Sequence, residues 1–288
     1  MGYGRPTVER RQLGLMLKKL RERKGVSQND AAAAIGRKQA RISRAEIGVG
    51  SLAQDELAEL LNFYGVPEEE QATALALGAQ ARKRQRGRAY ADQLPHAFER
   101  LTDLQADARS IGFYETGIVP GLAQSPDYVR ALMRAGDGAW WNSDSEEAER
   151  RIAYRLNQQN RVLGSDMPKS VVFVLTETSL HQIVGSVAVL RGQILHLLQL
   201  NERPDISVQV VPSECPDNPL LGGGLITLDF DGVAPRIAFS ASHGPATYHD
   251  REEDTEPMFQ AFDRVRQLAL TPEETGDLLL ARLKDMSR

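Results

Sequence analysis

Apolar residues fall into two rhythms along this 288-residue chain. In the first they recur every three to four positions, the spacing of helices that pack by one face. Leu13, Leu17 and Leu20 predict a helix from residue 7 to about 24, ended by Gly25 and Val26. Ser27 is a good N-cap for a second helix, and Asp30 in its first turn suits the positive helix end. Ala31, Ala32, Ala34 and Ile35 give that helix a thin apolar face, and Gly36 stands where it must stop and turn. A third helix from Lys38 turns Ile42 and Ala45 inward and leaves Lys38, Gln39, Arg41, Ser43 and Arg44 outward. Ser51 is expected to cap a fourth, whose Leu57, Leu60, Leu61 and Tyr64 face a core. Pro67, followed by Glu68, Glu69 and Glu70, opens a fifth.

From Leu94 the rhythm changes, with longer helical patterns alternating with short β-branched runs. Phe98, Leu101, Leu104, Ala108 and Ile111 predict one amphipathic helix, and Val119-Pro120-Gly121-Leu122 a turn. Ser125-Pro126-Asp127 starts another helix. A charged helix over 145–163 buries Ile152, Leu156 and Leu163. Strands are expected at 171–175 and 206–211, flanking a helix at 186–200. If these strands are parallel, their crossover is right-handed. Residues 225–230 and 236–240, joined at Asp231-Gly232, read as a hairpin added to the sheet. A long helix over 252–270 buries Phe259, Phe262, Val265 and Leu268, and Thr271 caps a last short one. The expected fold is therefore an α domain of five helices at 1–93, joined to an α/β domain with a mixed sheet at 94–288.

Charge sharpens that division. Residues 1–93 carry 17 Lys/Arg against 11 Asp/Glu, a balance of +6; residues 94–288 carry 18 against 28, a balance of −10. A basic front and an acidic back fit a nucleic-acid module joined to a part that avoids nucleic acid. The outward face of the third helix holds only amides, hydroxyls and cations besides Ala40. Such a face suits a DNA major groove, where base edges offer donors and acceptors. Residues 82–88, RKRQRGR, place five cations in seven positions. They fit either a phosphate-contacting segment or a solvated helix end that complements the dipole.

At Gln28, Ala32, Gly36, Ile42, Ser43, Glu46 and Gly48 the chain resembles the Xre/Cro-type helix-turn-helix repressors. The resemblance implies base reading by Gln39, Ala40, Ser43 and Arg44, and phosphate contacts by Gln28, Lys38 and Arg41. It also implies a structural pair between Arg21, late in the first helix, and Glu46, which ends the third. The later phrases FYETGIVPGLAQSPDYVRALM, LTETSLHQIVGSVAVLRGQILHLLQL and ISVQVVPSE resemble a domain of unknown function that follows the helix-turn-helix in many actinobacterial regulators, often called Scr-type or antitoxin-like. Its members are commonly encoded beside small acidic partner proteins, and it brings no catalytic residues to transfer. Together the resemblances imply a dimeric regulator that binds a palindromic operator in double-stranded DNA. Its second domain would sense a small-molecule effector or a small partner protein. The alternative is an antitoxin-like protein that neutralises its partner and controls its own operon.

Other chemistry is thin. Trp140 and Trp141 suit a pocket wall or an interface as well as plain core anchoring. Gly222–Gly224 precedes a strand rather than a helix, which argues against a phosphate loop. His243, His249 and Asp250 lack the second ligand cluster that a metal needs. Cys215 has no cationic neighbour to activate it, and as a lone cysteine it excludes an internal disulfide. Ser179 and His181 lie in no nucleophile elbow. No enzyme activity, cofactor or metal is expected. The polar, basic N-terminus has no signal-like apolar stretch and no apolar run is long enough to span a bilayer, so the expectation is a cytoplasmic protein without membrane contact.

Overall fold

The computed structural model describes residues 6–82, 89–94, 96–136, 145–165, 167–232, 234–241 and 246–286. These form two compact units. The first comprises 1–107 with 230–239 and 243–255; the second comprises 108–229 with 240–242 and 256–288. The composition shift at residue 93 is thus not where the units part. His243, Trp140, Trp141 and residues 83–88 lie outside the described residues.

Five helices open the first unit: α1 (Val8–Lys24), α2 (Gln28–Ala34), α3 (Gln39–Glu46), α4 (Gln54–Tyr64) and α5 (Glu68–Arg82). Thr7 caps α1, and Gly25 ends it in the left-handed region at φ 74°. Ser27 and Asp30 cap α2 reciprocally: the Ser27 hydroxyl accepts from the Asp30 N–H, and the Asp30 carboxylate accepts from the Ser27 N–H. The start of α4 departs from expectation. Ala53, not Ser51, is its N-cap, and the Glu56 carboxylate takes the Ala53 N–H at 2.8 Å. One core joins the five helices, with Leu13, Leu17, Ile42, Leu57, Leu60, Leu61 and Leu77 at its centre.

Past residue 93 the first unit continues with α6 (Ala97–Asp107), which packs on α1. Asp92 ends strand β1 (Tyr90–Asp92); its fully buried carboxylate receives Arg100 through two bonds, at 2.9 and 2.6 Å, and Gln12 at 3.3 Å. Arg11 of α1 pairs with Asp107 and lies 4.0 Å from the ring centre of Phe230. A late strand, β7 (Ala246–His249), pairs antiparallel with β1, and Asp250 accepts the Val8 N–H at 2.8 Å. β6 (Ile237–Ala241) lies next to β7. These contacts join segments far apart in sequence, which is why local composition does not mark them.

In the second unit β2 (Ser110–Glu115), β3 (Ser170–Thr176) and β4 (Ile206–Val211) are parallel neighbours, and β5 (Gly224–Asp229) runs antiparallel to β2. The sheet is mixed, as expected, but β2 replaces the end of the predicted helix over 98–111. Ala108 and Ile111 fit a helical spacing by chance; Ile111 to Tyr114 are buried in the sheet. Gly112 makes room there: a Cβ at that position would meet the Phe262 ring. Helices α9 (Val187–Asn201) and α11 (Pro272–Asp285) pack on β4, and α7 (Pro126–Ala135) packs on α9 and on α8 (Ser145–Leu163). Helix α10 (Glu252–Leu268) precedes α11 and buries Phe262 and Val265.

Of the apolar faces at 98–111 and 259–270, Leu101, Leu104, Ile111, Phe262 and Val265 are buried, and Phe98 is largely exposed. No described helix is long and apolar enough to cross a membrane.

Candidate nucleic-acid interface

The outward face of α3 is held by its two flanks. On one flank Glu46, the last residue of α3, is 4 % exposed and meets Arg21 of α1 through two parallel bonds, Nε to Oε1 at 2.6 Å and Nη2 to Oε2 at 3.1 Å. Arg21 also donates to the Val26 carbonyl at 3.0 Å. This two-point fork fixes orientation as well as distance. It tethers the C-terminal end of α3 to α1.

The tether extends to the surface. Gln28 Nε2 donates to Glu46 Oε2 at 2.7 Å, and Gln39 Nε2 donates to Gln28 Oε1 at 2.5 Å. The direction of both amides follows from the first partner. A carboxylate only accepts, so Gln28 must turn its nitrogen to Glu46 and its oxygen to Gln39. Gln39 must then donate, keeping its own oxygen and its second N–H for an outside partner. Gln28, expected at a phosphate, therefore spends one donor and its acceptor inside the protein.

On the other flank Glu56 of α4 is buried and takes Arg37 Nε at 2.6 Å and Arg41 Nη2 at 2.8 Å. Burial alone would raise its carboxyl, but Arg41, the Ala53 N–H and Arg37 outweigh burial and hold it at about 2. Arg41, also expected at a phosphate, is thus already paired. Lys38, Gln39, Ala40 and Arg44 are exposed and Ser43 is half-buried. Among the described residues Lys38 and Arg44 carry no ion pair.

Two glycines set how closely α3 approaches α1. A Cβ on Gly14 would run into the Glu46 carbonyl oxygen and lie 2.6 Å from that of Ala45. Gly48, at φ 77°, turns the chain after α3 where a Cβ would lie 2.9 Å from the Arg11 Cα. Gly14 escapes a reading of sequence: it sits inside an apolar helical pattern and has no turn to mark. Glu56 escapes it too, because its partners lie fifteen and nineteen residues earlier.

A tethered short helix that offers one oriented amide, a hydroxyl and two exposed cations has the donors and acceptors that a DNA groove can meet. The helix-turn-helix domain family matches residues 12–74, the architecture of DNA-binding regulators. The family described as Domain of unknown function (DUF5753) matches residues 98–281, more than half of the chain, and the chain belongs to that family. No curated protein and no solved structure matches it.

Proposed function

We propose that this protein is a sequence-specific transcriptional regulator of Xre/Cro type, acting in the cytoplasm without catalysis and bound to its operator as a homodimer. The observation that carries the reading is Gln39. Held through Gln28 by Glu46, it presents an acceptor and a donor side by side. Adenine offers the complement in the major groove, an N6 amino donor beside the N7 acceptor. Arg44 is placed on the same helix for guanine, and Ser43 and Ala40 for contacts of lower specificity. Lys38 is a phosphate contact, and Gln28 keeps one N–H for another.

A single short helix contacts few base pairs. Two copies on a palindrome, with reading helices roughly one turn or 34 Å apart, supply the missing affinity. The second domain is the sensing or partner-binding part, and its Scr-type, antitoxin-like kinship fits an effector of the DNA-bound state. The balance of −10 over residues 94–288 favours a basic partner, unlike the small acidic proteins encoded beside the family it resembles. The test is selection of bound sites from a random duplex library, followed by footprinting on the promoter of the protein's own gene. The expected result is a palindrome with a conserved adenine in each half-site; binding without sequence preference would remove the reading.

A further inference from the structure

The first unit holds a cavity of about 370 Å³ beside the end of α3, a size that takes a small organic molecule. Its wall is drawn from both matched families. Leu15 and Lys18 of α1, with Ile47 and Val49 after α3, belong to the helix-turn-helix match; Asp231 and Ala234 belong to the other. The turn that carries Asp231 follows Phe230, and Arg11 of α1 lies over that ring at 4.0 Å. The cavity thus lies where residues of the second family reach the helix that tethers α3.

The charges on the wall divide into spent and free. Arg21 and Glu46 pair at 2.6 Å, and Arg11 pairs with Asp107. Asp231 is engaged within the protein. Lys18 is exposed and has no ion pair or hydrogen bond among the described residues. Gln28, also on the wall, gives one N–H to Glu46 and its oxygen to Gln39, and keeps its other N–H. The polar groups left over are therefore donors, an ammonium group and an amide N–H. The rest of the wall is apolar and partly bare to water: Ile47 is 54 % exposed, and Leu15 and Val49 are half-buried.

An occupant has to answer both features. An inorganic anion would meet Lys18 and leave Ile47 in water, and an amine would bring a cation to a cation. We propose that this cavity binds a small organic acid with an apolar body. Its carboxylate takes Lys18 and the spare N–H of Gln28, and its body covers Leu15, Ile47 and Val49. Bound there, it touches the residue that orients Gln39 and takes the N–H otherwise left for a phosphate, so it acts as an effector that weakens DNA binding. That role rests on the reading of the chain as a regulator. Binding of the acid does not, and it is measured without DNA, so the two fail separately.

The experiment is saturation-transfer NMR on the full-length protein with octanoate and phenylacetate, and with acetate and octylamine at the same concentration. Octanoate or phenylacetate should bind. Acetate, which lacks the body, and octylamine, which carries the opposite charge, should not. Lys18→Glu should weaken acid binding about tenfold or more and let octylamine bind instead; Ile47→Asn should weaken acid binding to a similar degree. Both residues are exposed, so both variants should fold, and melting checks that they do. In gel shifts of the unaltered protein, saturating octanoate should weaken operator binding about fivefold or more. Acid binding without that shift overturns the effector role. Failure of both acids to bind overturns the site, as does octanoate binding that survives Lys18→Glu, or octylamine binding to the unaltered protein as tightly as octanoate.

Discussion

Glu46 and Glu56 in the first unit and Glu115 in the second are all carboxylates drawn largely out of water, but their company differs. Glu46 holds Arg21 and Gln28, and Glu56 holds Arg37, Arg41 and the Ala53 N–H. Glu115 is acted on by Arg155 but forms no ion pair among the described residues. A saturated carboxylate is scaffolding: it spends its acceptors inside the fold and fixes what lies around it. An unsaturated one fixes little around it and answers to pH instead. In the proposed reading the outside chemistry of the first unit is on Gln39, at the end of the Glu46 network.

The comparison breaks most easily at Glu46. Glu46→Ala leaves Arg21 and Gln28 without their acceptor and should cost on the order of 3 kcal/mol in the unfolding of the full chain. Adding Arg21→Ala should cost little more; additive losses in chemical denaturation would show that the two are not coupled. Gly14→Ala should follow, at about 1–3 kcal/mol, because its methyl meets backbone that cannot swing away. It should also weaken DNA binding by tilting α3, and a variant as stable and as tight as the parent would show that α3 tolerates the shift.

Titration sharpens the contrast. The Glu56 carboxyl ionises at about 2 in the folded protein against an ordinary 4.5. Its stabilisation is complete above that ordinary value and is lost as pH falls through about 2. For Glu115, raised to about 7, the order reverses: stability is full below its ordinary 4.5 and is lost as pH rises through about 7. At neutral pH, Glu56→Gln should lower the melting temperature and Glu115→Gln should raise it. The same sign for both would erase the distinction between the saturated and the unsaturated carboxylate. The smallest effect is expected at Lys38. Lys38→Ala should weaken all DNA sequences alike and reduce the salt slope of binding by about one unit; a changed base preference would move Lys38 from phosphate to base.

The sequence reading and the structure agree where the signal is local. Ser27 with Asp30, Gly25, Gly36 and the periodic leucines of α1 and α4 each act within a turn or two, and the helices stand where those residues put them. Arg21 and Glu46, named through the Xre/Cro resemblance, do meet. What the sequence did not show depends on distant partners. β2 was hidden because Ile111 satisfies a helical period and a strand period alike, and only pairing with β3 and β5 decides between them. The first unit takes in residues beyond 93 because Asp92, Arg100, Asp107 and Asp250 find partners across the chain. The partners of Gln28 and Arg41 escape a sequence reading for the same reason: Glu46 and Glu56 lie on neighbouring elements that one helix's period does not show. Glu115 and Arg155, forty residues apart, carry no spacing that a sequence displays.

The central claim is that α3 reads bases through a glutamine whose orientation the fold has already chosen. Quantitative gel shifts of the full chain and of Gln39→Ala, on the selected operator and on random duplex DNA of equal length, test it most directly. The account predicts a loss of about 1–3 kcal/mol on the operator, relaxed preference at one adenine per half-site, and no loss on random DNA. Gln28→Ala should relax the same adenine, and the double variant should relax the preference there no further than Gln39→Ala alone. Equal losses on operator and random DNA would contradict it.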